Sequence, residues 1–94
     1  MRILADPLRM RIVSLLARET LCTTHLMEET GARQTNLSNH LRILREAGVV
    51  ETEPCGRFTY YRLCPEALEA LSESLADLVT TARSTDAARN RRPC

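Results

Sequence analysis

Two short helical patterns, separated by a turn that contains glycine, constrain the fold of this chain more than any other feature of its sequence. The first pattern covers residues 24–30 and is followed by Gly31, which favours the left-handed conformation that ends many helices. The second covers residues 34–47 and stops at Gly48. Its inward-facing residues, at helical spacing, are Leu37, Leu41 and Leu44. Two helices joined by so short a turn, the second rich in small polar side chains, are typical of a helix-turn-helix.

An earlier helix is predicted from Asp6 and Pro7 to about residue 19. Aspartate is a good N-cap, and proline is favoured at the first helical position. Residues 20–23 are expected to form a short break before the next helix. The apolar residues that recur at helical spacing in this earlier helix are Leu8, Ile12, Leu15 and Leu16.

The hydrophobic period changes from helical to two after Gly48. Residues 49–53 and 58–63 are predicted strands. The intervening residues 54–57 contain a proline and a glycine, which fit a tight hairpin. A hairpin that directly follows a helix-turn-helix is predicted to be its wing.

The last predicted helix, which reaches about residue 83, carries leucines at spacings of three and four, like the seam of a two-helix interface. The residues of this seam are Leu68, Leu71, Leu75 and Leu78. We therefore expect one domain over residues 1–83, mainly α with a small β-hairpin, a winged helix-turn-helix that is homodimeric through its C-terminal helix. Residues 84–94 are expected to be a flexible polar tail.

Composition and charge exclude several classes of protein. The 94 residues are 44% hydrophobic and 27% charged, with a net charge of +1, which is ordinary for a globular domain. No apolar run reaches the length of a signal peptide or a membrane span, so we expect a cytoplasmic protein with no membrane partner. The sequence contains no evident catalytic triad, glycine-rich phosphate loop or paired carboxylates, so we do not expect an enzyme.

Double-stranded DNA is the partner that the second helix of the pair favours. Gln and Asn side chains can pair with adenine, and Arg can pair with guanine. Residues 31–62 carry a local net charge of +2, whereas residues 63–82 carry −4. His40, beside the inward-facing Leu41, is expected to be packed and hydrogen-bonded rather than a base reader. The predicted DNA-binding residues are Gln34, Thr35, Asn36, Ser38, Asn39, Arg42 and Arg45 on this helix, with Arg57 at the hairpin tip.

Three segments in order resemble the ArsR/SmtB family of metal- and metalloid-responsive repressors. They are "LADPLRMRIVSLL", "NLSNHLRILREAGVVE" and "GRFTYYRL", within a match that runs from about residue 4 to residue 78. The resemblance implies a homodimeric winged helix-turn-helix repressor that leaves its operator when an inducer binds. Members usually carry another helix before "LADP", where this sequence has three residues, so either the chain is shortened or the dimer relies on the final helix.

The resemblance also points to a sensor at Cys22. Arsenic-sensing members begin the helix before the recognition helix with Leu-Cys-x-Cys, and Cys22 matches the first cysteine, whereas Thr24 stands in place of the second. Soft thiolates suit As(III), Cd, Pb or Zn as inducers. Cys22 is either a ligand of such an ion or a small buried residue, and His25 is either a weak nitrogen ligand or a solvated residue. Cys55 and Cys64 are tentative further ligands, and Cys94 can also complete a thiolate set.

The zinc-type site that other members carry on the last helix is absent, because its positions hold Pro65, Ala67, Leu78 and Thr81. The leading hypothesis is thus a DNA-binding repressor released by arsenite or a related thiophilic ion. The first alternative is a repressor of the same fold that senses thiol oxidation. The second is a protein-interaction module that does not bind DNA.

Overall fold

The computed structural model describes residues 2–85. The chain forms five helices and three strands within this range. In chain order they are α1 (Arg2–Ala5), α2 (Pro7–Leu16), β1 (Leu21–Cys22), α3 (Thr23–Thr30), α4 (Gln34–Glu46), β2 (Val50–Cys55), β3 (Phe58–Leu63) and α5 (Pro65–Thr85). The mainly α winged helix-turn-helix predicted from the sequence is confirmed. The tail predicted for residues 84–94 lies outside the described residues from position 86 on, while Ser84 and Thr85 complete α5.

The core lies where α2, α3 and α4 meet, and it is aliphatic. Ile12, Leu26 and Leu37 are completely buried, as is Leu44, and Leu41 is nearly so. Partly buried Leu63 and Tyr61 pack against it from β3. The leucine stripe of the third predicted helix therefore holds that helix, α4, against the other two, and its opposite face remains in solvent.

The turn between α3 and α4 is fixed by local hydrogen bonds. The Thr30 hydroxyl donates to the Leu26 carbonyl at 2.6 Å and accepts the Ala32 N–H at 3.2 Å. Gly31 has a φ of 72°, and its N–H donates to the Met27 carbonyl at 2.9 Å. This left-handed residue satisfies the end of α3 and turns the chain into α4 within three residues.

The exit from α4 is equally well determined. The Gly48 N–H donates to the Arg45 carbonyl at 3.0 Å, and the Val49 N–H donates to the Leu44 carbonyl at 3.0 Å. With a φ of 78° at Gly48, this is a Schellman motif, which satisfies the last carbonyls of a helix. Val49 and Val50 are then buried. The backbone thus leads from α4 directly into the hairpin.

The hairpin is longer than predicted, because Pro54 and Cys55 belong to β2 rather than to the turn. The turn consists of two residues, Gly56 and Arg57, and Gly56 has a φ of 60°. A positive φ at the first turn residue only is characteristic of a type II′ turn. Proline is tolerated in β2 because this strand is at the edge of the sheet.

The predicted break at residues 20–23 is wrong in one respect, because Leu21 and Cys22 form the short strand β1. Leu21 pairs with Tyr61 and Cys22 pairs with Tyr60, both antiparallel, so the sheet order is β1-β3-β2. Two residues are too few for an alternating pattern, and their conformation depends on a strand almost forty positions away in the sequence. The pairing places Cys22 beside the wing.

Helix α5 extends away from this body. Its 21 residues span about 31 Å at the usual helical rise. Leu68 packs against the core, and Leu71 contributes to a groove with Ile3 of α1. Leu75 and Leu78 are 48% and 62% exposed. The predicted seam therefore divides into a half that its own chain covers and a half that it leaves open. None of the helices in the described part of the chain is both long and apolar enough to cross a bilayer.

Candidate nucleic-acid interface and thiol site

The polar face of α4 is continuous and exposed to solvent. All seven α4 residues predicted to bind DNA are exposed, and we call them the reading face. Five residues of this face line a shallow groove of about 710 Å³ together with Arg33, which the sequence analysis missed. Arg33 is the N-cap of α4, and its position directly before the helix was the available signal. The groove-lining residues are Arg33, Thr35, Asn36, Ser38, Asn39 and Arg42.

The two asparagines of the reading face differ in their hydrogen bonds. The Arg42 guanidinium donates to Asn39 Oδ1 at 2.7 Å, and it also lies 3.9 Å from a Glu46 carboxylate oxygen. Bidentate pairing with adenine uses both the oxygen and the nitrogen of an asparagine amide. Asn39 therefore has to release Arg42 before it can pair in this way. The Asn36 side chain forms no hydrogen bond within residues 2–85, so its amide is the more available of the two for a ligand.

The wing presents a cation beyond this face. Arg57 is exposed at the hairpin tip, as predicted. Behind it, Arg62 on β3 forms an ion pair with Glu51 on β2 at 2.5 Å and lies 3.7 Å from Glu53. The hydrogen bond from Arg62 holds the pKa of the Glu51 carboxyl below its ordinary value. Arg62 is thus paired within the wing, whereas Arg57 at its tip is available to a phosphate or a minor groove.

The predicted sensor residues Cys22 and His25 are in contact. Cys22 is buried, and its Sγ lies 3.4 Å from His25 Nδ1. The Cys22 backbone N–H also donates to His25 Nδ1 at 3.3 Å. His25 is the third residue of α3, so its ring performs the role that Glu or Gln has in a capping box. Its ring also meets Tyr60 edge-on, with centroids 6.0 Å apart.

A pocket of about 340 Å³ opens over this pair. Sequence analysis missed three of its lining residues, Glu28, Phe58 and Tyr60. Glu28 lies one turn after Thr24 on α3, whereas the two aromatic residues reach the pocket only because β1 pairs with β3. The residues that line the pocket are Cys22, Thr24, His25, Glu28, Phe58 and Tyr60.

The other two described cysteines stand apart from this pair. Cys55 is exposed and faces Phe58 across the hairpin, which puts its Cα about 12 Å from that of Cys22 at normal strand spacing. Cys64 follows β3, about 14 Å from Cys22 by the same spacing. Burial, and then the neighbouring Glu51 carboxylate, raise the pKa of the Cys64 thiol.

The donor set is therefore incomplete within one chain. Among residues 2–85, no three His, Cys, Asp or Glu side chains lie together as metal ligands. The structure brings together one sulfur and one nitrogen, and it leaves Cys55 and Cys64 outside the pair. Cys94 lies outside the described residues.

A family model and individual related proteins place the chain in the same family. A family model described as "Bacterial regulatory protein, arsR family" matches residues 6–52. An arsenic resistance transcriptional regulator of Pseudomonas putida is 38% identical over 90 residues, which cover 92% of this chain and 70% of that protein. A transcriptional repressor SmtB homolog of Synechocystis is 38% identical over 74 residues, 79% of this chain. The chain spans 56% of the length of the Synechocystis protein.

Solved structures with the same fold include two of interest. A possible transcriptional regulator for arsenical resistance superposes with a TM-score of 0.70 at 38% identity, covering 86% of this chain and 93% of that one. A homodimeric winged helix-turn-helix DNA-binding domain from Mycobacterium bovis has a TM-score of 0.68 at 24% identity, with coverage of 96% and 82%. The second likeness concerns the fold alone.

Proposed function

The chain belongs to the ArsR/SmtB family of bacterial transcriptional regulators, and on this premise we propose that it is a homodimeric repressor that reads operator DNA with α4 and leaves it when a thiophilic metal or metalloid ion binds near Cys22. The family consists of regulators rather than enzymes. The related proteins named as arsenical resistance repressors direct attention to trivalent arsenic first, with Cd, Pb and Zn as the other candidates.

The reading face of α4 is the observation that carries the DNA-binding proposal. Its apolar stripe is buried and its polar face is exposed. The packing of the stripe therefore holds the polar side chains of α4 toward solvent. The groove begins with Arg33 and ends with Arg42. Two cations at its ends suit phosphates, and the amides and hydroxyls between them suit base edges.

A second copy of the chain is the proposed cover for the open half of α5. Leu75 and Leu78 present apolar surface to solvent, and Val79 beside them is 49% exposed. Burying such surface on a partner is favourable at about 25 cal/mol per Å². A two-fold dimer places two reading faces on DNA, and half-sites about 34 Å apart, or a multiple of one turn, fit that symmetry.

Selection of a binding site from a randomised duplex library tests the DNA proposal. We expect enrichment of an approximately palindromic sequence by the wild-type protein. Asn36→Ala or Ser38→Ala should then weaken binding to this selected duplex about 10-fold while changing binding to random duplex little, since a lost base contact affects only specific binding. Ser14→Ala, an exposed serine on α2, is the matched control. Equal affinity of the wild type for selected and random duplexes would refute the repressor proposal.

The Cys22–His25 pair is the proposed first contact for the inducer. A soft ion prefers a thiolate, and imidazole nitrogen suits borderline ions. Nδ1 of His25 presently accepts the Cys22 N–H that caps α3. An ion that takes this nitrogen removes the cap, and α3 packs directly against α4. Inducer binding would in this way disturb the support of the reading face.

The remaining ligands of the inducer come from outside the pair in this proposal. Zinc takes four ligands in structural sites, so one sulfur and one nitrogen do not complete its coordination. Cys55 is exposed and can approach from the partner subunit or after a hairpin movement. Cys64 is the less favourable donor, because its raised pKa reduces the thiolate available at neutral pH.

Single cysteine substitutions test the inducer proposal. Cys22→Ser should bind the selected duplex as the wild type does but resist release by arsenite, Cd, Pb or Zn, measured by fluorescence anisotropy of labelled duplex with reduced protein. Cys55→Ser and Cys64→Ser, made singly, should separate into inducible and non-inducible proteins. A normal response of all the single variants to every ion would refute metal sensing.

Thiol oxidation remains the second candidate because Cys55 is a free, exposed thiol. A bridge between Cys22 and Cys55 within one chain is disfavoured, since disulfides need Cα atoms within about 7 Å. In this alternative, oxidation would join two chains through the exposed Cys55. A covalent dimer on non-reducing gels, formed with diamide in step with loss of DNA binding and absent in Cys55→Ser, would favour this candidate.

A further inference from the structure

His40 lies on the inner edge of α4, between the reading face and the start of α2. Its side chain is 14% exposed. Nδ1 of its ring is 3.2 Å from Arg9 Nη1 and 4.0 Å from Asp6 Oδ1. The sequence-based expectation that His40 is packed and hydrogen-bonded is confirmed, and its partners lie on a different part of the fold.

The direction of the hydrogen bond between Arg9 and His40 defines the protonation state of the ring. A guanidinium has no acceptor, so Arg9 donates and His40 Nδ1 accepts. The ring is therefore neutral, with its proton on Nε2. Arg9 Nε also donates to the Ile3 carbonyl at 2.6 Å. One arginine thus connects the backbone of α1 with the side of α4.

Asp6 is the third member of the cluster and already has two hydrogen bonds. Its Oδ1 caps α2 by accepting the Leu8 N–H at 2.9 Å and the Arg9 N–H at 3.2 Å. The Arg9 N–H is the main reason that the pKa of the Asp6 carboxyl is below its ordinary value. Asp6 consequently stays ionised throughout the range in which histidines change charge, about pH 5 to 8.

Protonation of His40 changes its Nδ1 from a hydrogen-bond acceptor to a donor. Among residues 2–85, the ionisable groups recorded against this ring are Asp6 and Arg9, both at the start of α2. An N–H on Nδ1 cannot accept from Arg9, and the two positive groups repel at this distance. The Asp6 carboxylate becomes the favoured partner. The ring would then lose its hydrogen bond to Arg9 and form one to Asp6 instead.

We propose that Arg9 and His40 are positioning residues that set the orientation of α4 on DNA, and that protonation of His40 in mild acid releases this pair and reduces discrimination between operator and random DNA. The inference rests on the DNA-reading function proposed above. His40 is one turn from Asn36 and adjacent to Asn39, so a shift of the ring moves both amides. Hydrogen bonds to base edges weaken with small displacements because they require distances of about 2.7–3.2 Å.

The ratio of two affinities measures this effect without interference from the overall charge. We would determine the Kd of the wild type for the duplex selected at pH 8 and for random duplex, from pH 8 to pH 5.5, at constant ionic strength. Both duplexes carry the same phosphates, so the general gain of positive charge in acid cancels in the ratio. We expect the wild-type ratio to fall about 5- to 10-fold, as for the loss of one hydrogen bond of ordinary strength.

The variant His40→Asn distinguishes an effect of His40 protonation on the position of α4 from a general loss of structure. Its Oδ1 can accept from Arg9 in the place of Nδ1 but cannot be protonated there, so this variant should keep a high ratio at both pH values. Arg9→Lys removes the planar guanidinium, whose Nε and Nη1 separately reach the Ile3 carbonyl and His40, so its ratio should be low already at pH 8. Arg11→Lys is the matched control, because the Arg11 guanidinium donates to the Glu29 carbonyl instead.

The outcomes separate this inference from the function on which it rests. A wild type that does not distinguish the two duplexes at pH 8 would refute the proposed function itself. A discriminating wild type whose ratio does not change with pH would overturn the inference alone. A fall of the same size in His40→Asn would also overturn it, as would a ratio in Arg9→Lys at pH 8 equal to that of the wild type. Both outcomes are measured on folded variants that bind DNA.

Discussion

Helices α4 and α5 both carry leucines at helical spacing, but the molecule uses them differently. In α4 the stripe of Leu37, Leu41 and Leu44 is at most 2% exposed, and the polar face is open. In α5 the outer part of the stripe is open, with Leu75 and Leu78 about half exposed or more. The same sequence period thus leads to a satisfied apolar face in one helix and an unsatisfied one in the other.

The difference shows what each helix leaves for a partner. Of these two helices, α4 packs against two other helices of the same chain, α2 and α3, so its free surface is polar and suits nucleic acid. The outer part of α5 lies beyond the body and has apolar surface to bury, which suits a second protein chain. Substitutions in the buried stripe of α4, the open stripe of α5, the polar face of α4 and the hairpin should have effects that decrease in this order.

The largest effect should follow truncation in the α4 stripe. Leu41→Ala removes a buried side chain and leaves a cavity, so the free energy of unfolding should fall by about 2–5 kcal/mol. Leu78→Ala should change it by less than about 0.5 kcal/mol in samples dilute enough to be monomeric, as exposed positions do. Urea denaturation followed by circular dichroism measures both. Equal losses would mean that α5 is packed within its own chain.

Charge on the α5 stripe should abolish self-association. Leu78→Glu places an unpaired carboxylate in the proposed interface, which should raise the dimer dissociation constant on the order of 100-fold or more. Thr80→Glu, in the same turn on the opposite side of the helix, is the control and should leave the constant nearly unchanged. Sedimentation velocity over a concentration series distinguishes them. A dimer that tolerates Leu78→Glu would locate the interface elsewhere.

A smaller effect is expected on the open face of α4. Arg42→Ala should weaken binding to selected and random duplexes alike, and the slope of log K against log salt should decrease by about 1 if the side chain contacts a phosphate. Arg18, which is exposed just after α2 and is not part of the reading face, supplies the control as Arg18→Ala. An unchanged slope in Arg42→Ala would indicate that Arg42 serves instead to hold Asn39.

The smallest effect concerns the hairpin that connects the two helices. Arg62 lowers the pKa of the Glu51 carboxyl from its ordinary value of 4.5, so the pair stabilises the fold above that value and the contribution disappears as the pH falls through the folded-state pKa. The difference in Tm between the wild type and Glu51→Gln should therefore be greatest near neutral pH and shrink as the pH falls below 4.5. A difference that stays constant throughout the acid titration would show that Glu51 acts other than through its charge.

Local patterns were sufficient to predict most of the fold. Asp6 caps α2 as its position before proline indicated, and the glycines after α3 and α4 adopt the left-handed conformations that end those helices. The segments that were not predicted depend on distant pairing. Strand β1 exists because Leu21 and Cys22 meet β3, and Tyr60 joins the thiol pocket by the same pairing.

The candidate sites differ in the same way. The exposure of the reading face follows from where Leu37, Leu41 and Leu44 point, so periodicity predicts it. The contact between Cys22 and His25 needs only one helical turn, and the sequence suggested it as one alternative. The relations of Cys55 and Cys64 to that pair depend on the sheet, and sequence spacing contains no information about them.

The way in which α4 is held has a consequence for how such a protein can change over generations. Gly31, which ends α3, Gly48, which ends α4, and the buried leucines between them hold the helix without help from any side chain of the reading face. If α4 reads DNA as proposed, exchanges at Gln34, Thr35, Asn36 or Ser38 should therefore alter which bases are contacted while the scaffold stays folded. A duplicated gene with this architecture can drift toward a new operator by single exposed substitutions, and a library randomised at those four positions should yield mostly folded proteins with divergent DNA preferences.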